Sequence, residues 1–518
     1  MKIVIKDILT SILSKEELKL LDIIKQKPLP FTIRLNILRM KESNFETLLT
    51  NQGIKFSKCP YLSYAYQINY IPPDSTDWII RLRLLGYYYA QNFSSLLPPL
   101  AFNFEHINLT NFMLIDTCAA PGSKTTQLSA MFNNQGLIIA NDHSKKNHRT
   151  YILHRNLKLT GALNVIISNE DARKLGQKWT NRFDAALVDA PCTGTGVIRQ
   201  RNVPDRENED LKRIQKREFD ILNNAIQMVK PGGIIIYSTC SFLPQENELV
   251  IKPFLDSEVV ELDPIKIKNL NAHPGINEFN GIDFPFFKNV LRIYPFDYDS
   301  VGFFIAKLKV KDNNDTKMLD SIEMSNPVLN TSSNDIKHIK NEENFSGFWN
   351  LCENNWGIKK DNWTLRHSLI KNRKGRIWMT TRCADTFLKD RKHWHPPDRL
   401  AVSIAQEEKN GQETRLTIDG VLVFCNDISK NIVYLTESQI DDWFAGKDLF
   451  LQDNQIKEIN SRYFILKSKE NIVLGCSKIS NNLLINFLPK FRYHISSKDK
   501  FPQKSSEPSL FHSEIEDE

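Results

Sequence analysis

Between residues 103 and 310, short apolar runs alternate with amphipathic stretches. The runs at 112–117, 137–141, 165–168, 183–189 and 233–240 are rich in apolar or β-branched residues and bounded by turn formers. The segments 123–132, 144–159 and 207–229 have helical length and spacing. Continuous apolar runs of strand length, separated by helices, predict a parallel sheet covered on both faces, because a strand covered on one face would alternate. Two more runs, 290–294 and 302–310, predict a hairpin at one edge of that sheet. Residues 1–102 have a mixed pattern, two helical runs around a polar region with short strands, and predict an α+β extension. From 311 to 344 the chain turns to Asn, Asp, Ser and Lys, the composition of a polar linker. Residues 345–494 regain aromatic and β-branched residues in short runs. Strands are expected there at 432–435 and 463–466 and a helix at Glu437–Phe444, so a β-rich module is predicted. The polar stretch 495–518 reads as disordered.

Composition changes this picture little. The 518 residues suit two to four domains, 41% hydrophobic content suffices for sizeable cores, and a formal charge of +7 is compatible with a polyanionic partner without requiring one. Charges interrupt the apolar run at the N-terminus before a signal-peptide core forms, and no stretch is long and apolar enough to span a bilayer. The 8 cysteines are scattered, with no CxxC pair, which argues against a disulfide framework or a zinc site. A cytoplasmic protein is expected, a monomer with no metal and no membrane contact.

Chemistry collects at the strand ends. Asp116 closes the first central strand, Asp142 follows the second, Asp171 follows the third, Asp189 closes the fourth and Cys240 the fifth. Any one of these acids is more readily explained as a helix N-cap. Together they point to a ligand cleft, because open parallel sheets bind ligands outside the carboxyl ends of their strands. The loop after the first strand reads Asp116-Thr117-Cys118-Ala119-Ala120-Pro121-Gly122-Ser123-Lys124-Thr125. Its small residues allow close backbone approach, and the N–H groups of the next helix face the same space. It is neither a GxGxxG turn nor a P-loop. With Asp142 placed to meet ribose hydroxyls, a nucleoside cofactor is implied, without saying which.

Two segments make the choice: Asp189-Ala190-Pro191-Cys192-Thr193-Gly194-Thr195-Gly196 and Ser238-Thr239-Cys240-Ser241-Phe242. A single cysteine is usually a small buried hydrophobe. Two thiols past strand ends, beside small and hydroxyl residues, are placed to reach a ligand and to act as nucleophiles. These segments and Gln245-Glu246-Asn247-Glu248 resemble, in order, the NOL1/NOP2/Sun family of RNA cytosine-C5 methyltransferases. Upstream, Phe31-Thr32-Ile33-Arg34-Leu35-Asn36 and Gly86-Tyr87-Tyr88-Tyr89-Ala90-Gln91 resemble its N-terminal part. Tyr298-Asp299-Ser300-Val301-Gly302-Phe303-Phe304 resembles its closing hairpin. The segment from Leu435 to Asp448, with Leu474-Gly475-Cys476-Ser477-Lys478, resembles the tail of the bacterial RsmF type, whose members act on 16S rRNA and carry PUA-like RNA-binding domains there.

The resemblance implies a Rossmann-like S-adenosyl-L-methionine-dependent methyltransferase sheet with a C-terminal PUA-like module, acting on RNA, 16S rRNA ahead of tRNA. It carries the cofactor loop onto Cys118, Ala119, Ala120, Pro121, Gly122, Ser123 and Lys124, the ribose carboxylate onto Asp142 and the adenine-side carboxylate onto Asp171. Asp189 becomes the acid where cofactor and base meet, Cys240 the nucleophile and Cys192 the cysteine that helps release product. Local chemistry by itself allows either cysteine to attack. Thr193 stands where the family usually has Ser, and Asn92 where Glu is common. The competing readings are an oxidoreductase on the same sheet, disfavoured by the missing GxGxxG, and a non-catalytic assembly factor, disfavoured by intact Cys192, Cys240, Lys124 and Asp189. A basic and aromatic stripe from Lys371 to Trp394, including Arg373, Arg376, Trp378, Arg382, Lys389, Arg391 and Lys392, suits phosphates and bases as well as it suits a solvated face.

Overall fold

The computed structural model describes every residue except 1, 4, 145–147, 201–203, 205, 313–344, 373, 390–398, 408–412, 452–454, 456–460, 481–482 and 495–518. The expected linker from 313 onward, the expected disordered tail, and Arg373, Arg391, Lys392 and Trp394 of the basic stripe lie outside the described residues.

The N-terminal region opens with α1 (Ile5–Ile12) and α2 (Lys15–Lys25). The second helix starts at a capping box, in which Ser14 Oγ accepts from the Glu17 N–H and the Glu17 carboxylate accepts from the Ser14 N–H. Then come β1 (Phe31–Leu35), α3 (Glu42–Asn51), β2 (Lys55–Cys59), β3 (Leu62–Tyr70), α4 (Thr76–Leu84) and β4 (Tyr88–Ala90), the strands forming an antiparallel sheet of order β2-β3-β1-β4.

The central sheet follows with β5 (Met113–Asp116), α5 (Ser123–Met131), β6 (Leu137–Asn141), α6 (His148–Thr160), β7 (Val165–Ser168), β8 (Phe183–Asp189), α7 (Asn208–Met228), β9 (Val229–Thr239), α8 (Glu248–Asp256), β10 (Val260–Leu262), β11 (His273–Pro274), β12 (Val290–Ile293) and β13 (Phe303–Val310). Strands β9, β8, β5, β6 and β7 lie side by side and parallel, so the chain switches direction between β5 and β8. Strand β13 pairs antiparallel with β9, and β12 with β13, as the hairpin pattern predicted. Burial on both faces explains the continuous apolar runs: Leu114, Ile138, Ile167 and Leu187 enter one core, and their neighbours Ile115, Ile139, Ile166 and Val188 enter the other. Strand β9 starts directly after α7, earlier than its apolar run suggests, and ends at Thr239, leaving Cys240 just beyond it.

Two C-terminal sheets follow. β14 (His367–Lys371), β15 (Arg376–Thr381), β17 (Ser403–Glu407) and β18 (Thr414–Leu416) form the first, in that order, with α10 (Arg382–Lys389) packed beside it after α9 (Ser346–Leu351). Between them β16 (Arg399–Leu400) leaves to pair antiparallel with β7, lengthening the central sheet. Thr381 Oγ1 donates to the Gly136 carbonyl at 2.6 Å across the same contact. After α11 (Ile418–Val423), β19 (Ile432–Tyr434), α12 (Glu437–Phe444), β20 (Leu449–Phe450), β21 (Tyr463–Lys467), β22 (Val473–Ser480) and β23 (Leu483–Asn486) build a five-stranded sheet of order β19-β21-β22-β23-β20. A second capping box, Thr436 with Gln439, starts α12.

Hydrogen bonds bolt the N-terminal sheet to the helices of the central one. Arg34, buried in β1, donates to Gln91 Oε1 at 2.9 Å and to Thr126 Oγ1 of α5 at 2.8 Å. The Asn36 amide donates to the carbonyls of Gly86 and Thr160. Gly86 sits at φ +74°, and a Cβ there would come within 1.9 Å of the Leu159 carbonyl oxygen, so only glycine lets the two regions close. Among the described residues no helix is long and apolar enough to cross a membrane, and no cluster of His, Cys, Asp and Glu could hold a metal ion.

Candidate active site

The strand-end residues share one edge of the sheet. Asp116 is 1% exposed. Its Oδ2 accepts from Thr125 Oγ1 at 2.7 Å, while its Oδ1 makes no well-formed hydrogen bond to a described residue. Burial, with Asp189 adding repulsion, pushes this carboxyl up to about 7 against the pull of Thr125 and Lys124. Gly122 turns the loop into α5 at φ +107°, where a side chain would be strained and its Cβ 3.1 Å from Leu153.

Asp142 accepts from the Ala120 N–H at 3.0 Å and from Arg149 Nε at 3.0 Å, so the carboxylate after β6 is held against the loop after β5. The Pro121 carbonyl accepts from Asn156 of α6, and the Ser123 carbonyl from Arg34. Cys118 lies among Asp142, Asp116 and Asp189, and burial first, then these charges, push its thiol above the ordinary range. Asp171, after β7, is gripped by Arg173 through both carboxylate oxygens. Burial pushes its acidity the other way, but the Arg173 hydrogen bonds outweigh it and hold the carboxyl below its usual range. Lys124, expected in the cofactor loop, turns inward: its ammonium meets Asp189 Oδ2 at 2.6 Å and lies over the Phe303 ring. Asp189 Oδ1 accepts from Ser238 Oγ at 2.8 Å.

Cys192 and Cys240 come from loops after different strands, yet their sulfurs are 3.3 Å apart. Both residues are half-buried, as Asp189 is. The Cys192 thiol is held well above the ordinary range, first by its hydrogen bond with Cys240 and then by burial. The two thiols are within hydrogen-bond reach of each other, and either sulfur can be the donor.

What sets that spacing was missed in the sequence. Glu246 Oε1 accepts from the Thr193 N–H at 2.7 Å, and its Oε2 accepts from Thr193 Oγ1 at 2.6 Å and from Ser241 Oγ. Thr193 and Ser241 each directly follow one of the two cysteines. Asn247 ties Thr239 and Ser241 together, and buried Glu248 takes Arg292 through both oxygens, with Arg292 also donating to the Phe242 carbonyl. The available signal was the four-residue polar run Gln245-Glu246-Asn247-Glu248 just after the second cysteine segment; in the fold Glu246, Asn247 and Glu248 are fully buried, and each needs partners. The basic stripe is partly self-satisfied: Lys371 pairs with Glu407, Lys389 with Asp385, and Arg382 donates to the Thr364 carbonyl.

A parallel sheet with this switch point, its antiparallel closing hairpin and its acids at the strand ends define a Rossmann-like methyltransferase fold, with a separate β-rich C-terminal sheet. Comparison with known proteins agrees. The family described as 16S rRNA methyltransferase RsmB/F matches residues 108–309, and the methyltransferase RsmF PUA domain matches residues 430–492. Ribosomal RNA small subunit methyltransferase F of Vibrio campbellii is 26% identical over 90% of this chain and 91% of its own length. The Shewanella woodyi protein of the same name is 29% identical over 90% of each chain. A solved methyltransferase homolog from Pyrococcus horikoshii is 31% identical, with a TM-score of 0.50, over 59% of this chain and 93% of its own. The chain belongs to the RsmB/F family of methyltransferases, and its C-terminal sheet is that family's RsmF-type PUA domain.

Proposed function

We propose that this chain transfers a methyl group from S-adenosyl-L-methionine to carbon 5 of a cytosine in 16S rRNA, through a covalent bond between Cys240 and carbon 6 of the base. The observation that carries this reading is the pair of thiols 3.3 Å apart beside the Asp189–Lys124 ion pair. The residues present fit the cofactor. Asp142 and Asp171 offer carboxylates to ribose and adenine donors, Cys118 to Ser123 form a tight loop of small residues, and Asp116 keeps a buried oxygen without a well-formed hydrogen bond under that loop. When bound there, the cofactor supplies an electrophilic methyl group.

The chain's own residues supply the rest. Carbon 5 of cytosine is a weak nucleophile. The Cys240 thiolate adds to carbon 6, forming the S–C6 bond and moving an electron pair onto carbon 5, which then takes the methyl. Asp189, fixed by Lys124 and Ser238, faces the polar edge of the ring and stabilises charge as the adduct forms. Loss of the carbon 5 proton to a base then lets the S–C6 bond break. The Cys192 thiol, 3.3 Å from the Cys240 sulfur, is within reach to donate to that sulfur as it leaves, which gives it the role in release. The base must be unstacked to enter, and the PUA domain adds RNA-binding surface beyond the cleft.

The test uses tritiated S-adenosyl-L-methionine and separate rRNA and tRNA pools. Label on cytosine of small-subunit rRNA, lost in Cys240→Ala, supports the reading. Label on tRNA moves the substrate, label lost in Cys192→Ala but kept in Cys240→Ala exchanges the cysteine roles, and no label on any pool, naked or assembled, overturns the activity.

A further inference from the structure

Behind the two cysteines lies a second carboxyl that the reaction does not use. Glu218 projects from α7 toward the turn that carries Glu246; both residues are fully buried. Glu218 faces the Glu246 carboxyl, but neither of its oxygens makes a well-formed hydrogen bond to a described residue. Two buried carboxylates cannot face each other at low dielectric without one taking up a proton. Among the described residues, the charged or titratable groups that act on the pair include Arg217 on the same helix, Cys192 and Cys240 from the two loops, and Tyr237 of β9. The Arg217 charge pulls both carboxyls down, but burial outweighs it, and the guanidinium itself donates to the Pro191 carbonyl at 2.5 Å. The hydroxyl of Tyr237 donates to the Glu246 backbone carbonyl.

We propose that Glu218 and Glu246 share a single proton, and that this pair is the clamp that positions the reacting thiols, Glu246 gripping the residues after Cys192 and Cys240 and protonated Glu218 donating to Glu246 from behind. Both are positioning residues, since neither touches the base. The proposal rests on the reading of Cys192 and Cys240 as the reacting thiols. The grip is asymmetric by design of the contacts: Glu246 accepts from three groups on the cysteine loops, which needs a carboxylate, and Glu218, with no other partner among the described residues, is the member that keeps the proton.

Burial holds both carboxyls above the ordinary glutamate value of 4.5. Folding therefore takes up a proton here, and the stability it brings is full below that value and is lost as pH rises through the pair's own titration. Losing the proton also puts a second negative charge beside Cys192, raising the pH at which that thiol ionises.

The test is made on the full chain with Glu218→Gln, which keeps a donor for Glu246 and removes the titration. Thermal unfolding across the range from about pH 5 to about pH 8 should show the variant melting on the order of 2 °C or more above wild type at the alkaline end, with the gain gone at the acid end. Alkylation of Cys192 by iodoacetamide, followed by peptide mass spectrometry, should show its midpoint moved to lower pH by roughly half a unit or more. Glu246→Gln should instead raise Cys192 alkylation across the whole range, because the loops are released. A Glu218→Gln variant that superimposes on wild type in both measurements, or that melts lower at the alkaline end, overturns the shared proton. None of these readouts needs RNA or methyl transfer, so a protein inactive on rRNA that shows these shifts keeps the clamp and loses the proposed reaction, and an active one without them does the reverse.

Discussion

Asp116 offers a direct measurement of how dry the cleft floor is. Its carboxyl is 1% exposed and is pushed from 3.8 to about 7 by burial. A folded-state value above the unfolded one means that the protonated carboxyl stabilises the fold. That contribution is complete below about 3.8, declines as pH rises, and is gone above about 7. One pH unit is worth about 1.4 kcal/mol, so between about pH 5 and about pH 8 wild type should lose about 2–3 kcal/mol through this one group. Asp116→Asn removes the titration and leaves an amide oxygen to accept from Thr125 Oγ1. Urea unfolding of both proteins at several pH values, without cofactor, measures the difference. The stability of the variant relative to wild type should grow by that amount toward alkaline pH. Parallel stability curves would refute the argument, showing that water or a counter-charge reaches the carboxyl and that the floor of the cleft is not dry. Because the other buried acids are present in both proteins, their titration largely cancels from the difference.

Other consequences can be checked separately. Asp142→Ala removes the acceptor that joins the Ala120 N–H to Arg149 and, on the proposed reading, a ribose contact, so calorimetric affinity for S-adenosyl-L-methionine should fall by roughly tenfold or more. Gly86→Ala places a methyl group against the Leu159 carbonyl, and chemical denaturation should show a loss of about 2 kcal/mol or more as the N-terminal sheet is pushed off α6. Glu248→Gln leaves Arg292 buried without its charge partner, which should cost about 3–5 kcal/mol in the same assay.

The chain by itself determined much of this. Apolar runs of strand length separated by helical spacing specified a parallel sheet, because only strands buried on both faces carry no polar alternation, and β5 to β9 lie along those runs. Acids and thiols at the run ends specified where a cleft would open, because the side of a parallel sheet that receives ligands is the side where its strands end. These are local and one-dimensional signals, so they survive in the sequence. The tertiary structure decided what needs contact between distant residues. Lys124 stands in the cofactor loop by sequence, but its long side chain turns to Asp189, 65 positions away. Cys192 and Cys240 are 48 positions apart, and nothing in either segment states that their sulfurs meet. Glu246 and Glu248 stand in a polar run marked only by its family resemblance, and Glu218 on a helix, and only packing shows all three fully buried. Strand β16 pairs with β7 across more than 200 residues, and no periodicity in either two-to-four-residue segment could have announced the match. Spacing along a chain records which way a side chain points from its own element, and the partner it finds there depends on how the elements pack.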